Sequence, residues 1–126
     1  MEDSLRKLVD VCVTHEGGNP LWPDGAERFC ADHGVSREKL FYLFAKYVAE
    51  EFVQGSMSFD DGNRAMNRLF GVADIDLRGF ALDVYEAFDS GEFLHDGDTE
   101  GTISWQKYTL PQVMQALAKE GLLPRG

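Results

Sequence analysis

Apolar residues recur along this chain at helical spacing. Leu5, Leu8, Val9, Cys12 and Val13 fall at i, i+3, i+4, i+7 and i+8, with Ser4 placed to cap the start of that helix and Gly17-Gly18 to stop it. Asn19 to Pro23 breaks the chain, and Pro23 suits the opening of a short helix through Phe29 and Cys30 to His33, closed by Gly34. Ser36 heads a longer segment in which Leu40, Phe41, Leu43, Phe44, Tyr47, Val48 and Phe52 form a wide stripe; it ends at Gly55 and is the expected centre of the core. Ser58 caps a fourth helix with Ala65, Met66, Leu69 and Phe70 on one face. Gly62 should weaken it by about 1 kcal/mol relative to alanine, and Gly71 should stop it.

From Asp76 onward Leu77, Phe80, Ala81, Val84, Tyr85 and Phe88 repeat at helical spacing until Ser90-Gly91. Thr109 with Leu110-Pro111 opens a last helix that carries Val113, Met114, Leu117 and Ala118 to Gly121. Residues 92–108 read mostly as loop. Thr102-Ile103-Ser104-Trp105 alone has strand character, so a small hairpin between residues 92 and 105 is the one β element the pattern allows. The expected fold is all-α, a compact bundle of five to six helices packed as a single domain over residues 1–126.

Composition adds a charge imbalance. Twelve Lys and Arg stand against 22 Asp and Glu, a net charge of −10, which repels a phosphate backbone and argues against nucleic acid as a partner. No apolar run approaches the ~18 residues of a membrane span. Met1-Glu2-Asp3-Ser4 lacks the cationic start of a secretory signal, so the expectation is a cytoplasmic protein that does not engage the membrane. Two cysteines are too few for a disulfide framework.

The charge is also localised. Between Asp74 and Glu100 nine acids face the single base Arg78, a net −8 that leaves only −2 for the other 99 residues. Asp83, Glu86 and Asp89 recur every third residue away from Phe80, Val84 and Phe88, so they should line a solvated ridge that Glu92, Asp96, Asp98 and Glu100 extend. Like charges at i, i+3 cost a few tenths of a kcal/mol each, and the segment omits the lysines that would offset them. The cluster therefore points to a basic partner protein, such as a nuclease whose phosphate-binding groove the carboxylates would occupy. Trp105 and Tyr108 flank the acidic loop as candidate interface anchors, Trp105 having a place in the core as its alternative, and Trp22 stands between Pro20 and Pro23 with the same ambiguity.

Two arrangements resemble metal sites. In residues 96–107, Asp96, Asp98 and Glu100 take the first three oxygen positions of a calcium loop, Gly101 the sixth and Ile103 the eighth; Lys107 stands where a bidentate glutamate should close it. That register supports an alternative function, a metal-responsive domain. Cys12-x-x-His15 and Cys30-x-x-His33 supply the residue types of a zinc site, provided that two helices converge. No nucleophile elbow, phosphate loop, His-Glu-x-x-His or dinucleotide fingerprint is present, so no enzyme, no catalytic residue and no cofactor is expected. The other alternative, a small enzyme, would be centred on His95 beside Asp96 and Asp98.

The stretch Glu51-Phe52-Val53-Gln54-Gly55-Ser56-Met57-Ser58-Phe59-Asp60-Asp61, the helix to Phe70 and the acidic end of the next helix resemble small bacterial immunity proteins of the colicin-D type, over residues 45–100. The shared motif is a helix ending in Phe-x-x-Gly before a Ser-capped helix. The resemblance implies a helical, acidic protein that blocks a cationic nuclease toxin in the producing cell. The chain departs from the family in its longer N-terminal part and in the Gly-rich loop with Trp105 and Tyr108, and no individual residue is carried over. The expected function is thus an acidic protein-binding module, immunity-like or a regulatory adaptor; an apolar face left uncovered by the bundle would serve a homodimer.

Overall fold

The computed structural model describes residues 1–22, 24–73 and 77–122. Among these residues six α-helices follow one another: α1 Glu2–Thr14, α2 Gly25–His33, α3 Arg37–Gln54, α4 Phe59–Ala73, α5 Gly79–Ser90 and α6 Leu110–Lys119. The fold is all-α, with no strand among the described residues. A π-helical turn, Trp105–Thr109, leads directly into α6. The small hairpin that the pattern allows between residues 92 and 105 does not form: Ile103 and Trp105 feed a helix, and residues 91–102 run through turns and bends.

The long third helix is the centre, as its stripe predicts. It packs against each of the other five helices, burying Leu40, Phe41, Phe44, Ala45, Val48, Ala49 and Phe52. Its ends are set locally. Ser36 Oγ accepts the Lys39 N–H at 3.0 Å, and Gly55 adopts the left-handed φ of 86° that terminates a helix. One apolar cluster draws residues from all six helices and from Leu21, which the α1–α2 connection inserts into it.

Other boundaries differ from expectation. α1 begins at Glu2, with Met1 as its N-cap, and takes Ser4 inside; Glu2 and Asp3 complement the positive end of the helix. α4 runs through Gly71 to bury Val72 and Ala73; that glycine faces Asn19, whose amide donates to the Arg68 carbonyl at 2.7 Å. α5 starts at Gly79, and Asp76, like Pro23, lies outside the described residues. The last helical stretch begins some five residues earlier than Thr109. Leu110 donates its N–H to the Trp105 carbonyl, one residue wider than α-helical pairing, and Pro111, which has no N–H to give, follows that widened turn.

Three glycines are required by contact: Gly25, where a β-carbon would overlap the Pro20 carbonyl, Gly62 and Gly91. α4 crosses α5 so closely that a β-carbon on Gly62 would lie 2.6 Å from the Phe88 ring. A β-carbon on Gly91 would overlap the side chain of Thr109, which is buried with its hydroxyl donating to the Ala87 carbonyl at 2.7 Å.

Replacing Gly62 with alanine normally stabilises a helix by about 1 kcal/mol; here the methyl meets a ring wedged between Phe52 and Phe59. The expected outcome is the opposite sign, a loss of about 1–3 kcal/mol, read from the urea midpoint of Gly62→Ala against wild type.

Candidate functional site

The acids of α5 follow a slanting line around the helix. An α-helix turns about 100° per residue, so every third position drifts by about 60°. Asp83 and Glu86 accordingly line a shallow cleft of about 140 Å³ with Gln112, Gln115 and Lys119 of α6. Asp89 and Glu92 lie farther along, close enough to Tyr85 that their charges, after burial, help to push its phenol up. Tyr85 in turn stacks on Phe70 of α4 at 4.3 Å. Glu92 accepts from the Asn63 amide at 3.0 Å. Asp74 and Asp76 lie outside the described residues.

Within the loop, one carboxylate is withdrawn from the surface. Asp98 accepts the His95 backbone N–H at 2.8 Å, the Tyr108 hydroxyl at 2.6 Å from both oxygens, and the Lys107 ammonium. Its side chain is only 2% exposed, covered by these partners and not by the core. Lys107, Tyr108 and the His95 N–H together hold its carboxyl well below the usual aspartate range, and Asp98 reciprocally raises both the Lys107 ammonium and the Tyr108 phenol. The His95 ring stacks on Tyr108 with centroids 3.7 Å apart, and its Nε2–H donates to the Ser90 carbonyl at 2.8 Å. Ser104 Oγ donates to the Gly91 carbonyl at 2.6 Å, joining the two ends of the loop.

This clasp gives the calcium-like register a different use. Lys107, at the closing position, places its own cation on Asp98, while Asp96 and Glu100 stay exposed. Among the described residues no group of three or more His, Cys, Asp or Glu side chains is arranged to hold a metal ion. The Cys-x-x-His pairs have separate surroundings. Cys12 is buried, its thiol pushed up to about 12 by that burial; Cys30 is half-buried; His33 packs on Phe29 at 4.4 Å. The His15 carbonyl is taken by the Arg64 and Arg68 guanidinium groups at 2.6 and 3.0 Å.

Both expected anchors are engaged within the chain. Trp105 stacks on Phe59 at 6.4 Å and meets Phe52 edge-on at 5.7 Å, within the aromatic group around Phe88. Tyr108 is committed to Asp98 and His95. The exposed apolar residues of the region are ones the helical pattern left out: Phe93 is 76% exposed, Leu94 51% and Ile103 49%. Their signal in the sequence is that a Phe-Leu pair sits in a loop and belongs to no helical stripe. Trp22 is the exposed tryptophan.

A second candidate region is a cleft of about 490 Å³ where α3, the start of α5 and the end of α6 meet. Phe41, Tyr42 and Phe80 form its apolar wall, and Arg37, Arg78, Glu38 and Glu120 supply two charges of each sign. Arg37 is already engaged, with Glu27 at 3.3 Å and the Val72 carbonyl at 3.1 Å. The lining therefore selects no ligand charge.

Comparison with family models, with curated proteins and with solved structures found no match.

Because Asp98 has a lowered carboxyl pKa in the fold, the stability it contributes is complete above the ordinary aspartate value of about 3.9 and is lost as pH falls through the depressed folded value. Asp98→Asn should melt lower than wild type at neutral pH, and the difference should close under strong acid. Melting temperatures across that acid range check it, with faster amide exchange in residues 92–104 at neutral pH as the local signature.

Proposed function

We propose that the protein is an acidic binding module, an immunity-like or regulatory adaptor that engages a basic protein through the carboxylates of α5 and the loop after it. The observation that supports this reading is that Asp83, Glu86, Asp89, Asp96 and Glu100 are all exposed, and among the described residues none of them forms an ion pair. Lys107 is spent on Asp98. Lys119 shares the cleft of Asp83 and Glu86 without closing on either.

Anions gathered without counter-ions attract a cationic protein over several ångströms and orient it before contact. A nuclease groove that ordinarily receives phosphate has the matching sign, and the likeness to colicin-D-type immunity proteins leads to the same class of partner. The slant of the acids around α5 favours a partner that wraps the end of that helix over one that lies flat along it. Among the described residues no helix is long and apolar enough to cross a membrane, which suits a bacterial cytoplasmic setting for such an adaptor.

Reversing Asp83, Glu86 and Asp89 to lysine should change stability by no more than about 0.5 kcal/mol each, because exposed substitutions rarely do more. Affinity capture with wild type, followed by titration of the purified captured protein at about 50 and about 300 mM salt, should show binding that weakens with salt. The reversed variant should lose about tenfold or more in affinity. Equal affinity of the two forms, or a dissociation constant indifferent to salt, overturns the proposal.

A further inference from the structure

We infer that Phe93 and Leu94, with Ile103 beside the pinch of the loop, form an apolar contact that receives a cationic amphipathic helical segment of the partner protein. This rests on the reading of the molecule as a module for basic partners and adds the element that seats them. Phe93 is more exposed than any other large apolar side chain of the chain's described residues, and Leu94 and Ile103 are about half exposed. None of the three joins the core cluster or the half-buried residues packed on it.

A mobile loop would lose much of any gain to ordering, but this one is held before a partner arrives. Its ends are joined by Ser104 on the Gly91 carbonyl. Its middle is tied by Asp98 to Lys107 and Tyr108, and the His95 ring is fixed between the Ser90 carbonyl and Tyr108. Preorganisation of that kind removes part of the entropic cost of association. The charge order then selects the occupant. Asp96 and Glu100, both exposed, stand in the loop between the Phe-Leu pair and Ile103. An amphipathic helix with an apolar stripe bordered by lysine or arginine is the complement of such an apolar centre with an acidic border.

The test uses two synthetic helical peptides of equal length and charge, one with Leu and Lys in amphipathic register and one with Ser in place of every Leu. Each is titrated into the ¹⁵N-labelled full chain and into Phe93→Ser/Leu94→Ser, whose fold is checked by circular dichroism. Wild type should bind the Leu/Lys peptide with shifts centred on residues 92–104, and the double variant should bind it about tenfold more weakly. The Ser/Lys peptide should bind both forms at the weaker level. Equal binding of the two peptides, or no loss in the variant, overturns the apolar contact and leaves the acidic reading standing. If neither peptide binds, both fall. Partition of the free protein onto phosphatidylcholine vesicles through the same residues would overturn the inference in favour of a lipid contact.

Discussion

The apolar circumference of α3 is the constraint from which the rest of the molecule follows. Its buried positions, Leu40 through Phe52, span about half the helix surface, and Tyr42, Leu43, Tyr47 and Val53 extend the apolar surface beyond that arc as half-buried contacts. No single neighbour covers such a surface, so five helices must surround it. Enclosure at this density forces close crossings between the surrounding helices, and they fall where the chain places Gly62 under Phe88 and Gly91 under Thr109. Those crossings bring the end of α5 against the turn before α6, which is where the acidic loop is held.

What could be read in advance followed the range of the interaction concerned. Helices were legible because their stripes are periodic, and Ser36 and Gly55 were legible as ends because a cap acts within four residues. Gly71 misled because the burial of Val72 and Ala73 outweighs the local preference for stopping. The start of the last helix was hidden because it begins on a π turn that places Trp105 against Phe52 and Phe59, residues some fifty positions away.

The site divides along the same line. A count of acids locates the charge, yet which acids remain available depends on partners nine and ten residues distant, brought together by turns at Gly97 and Gly101. The withdrawal of Asp98 turns what resembles a cation-binding loop into a rigid mount with its own cation. The surface this leaves combines exposed carboxylates with Phe93 and Leu94, whereas Trp105 packs on the core and Tyr108 braces the loop through Asp98 and His95. Rigidity and display are thus supplied by different side chains of one short segment.

The guanidinium groups of Arg64 and Arg68 seal the C-terminal end of α1 from 49 and 53 residues downstream. A thirteen-residue helix is marginal alone in water. α1 is therefore made before the side chains that close its end, and its native order waits on α4.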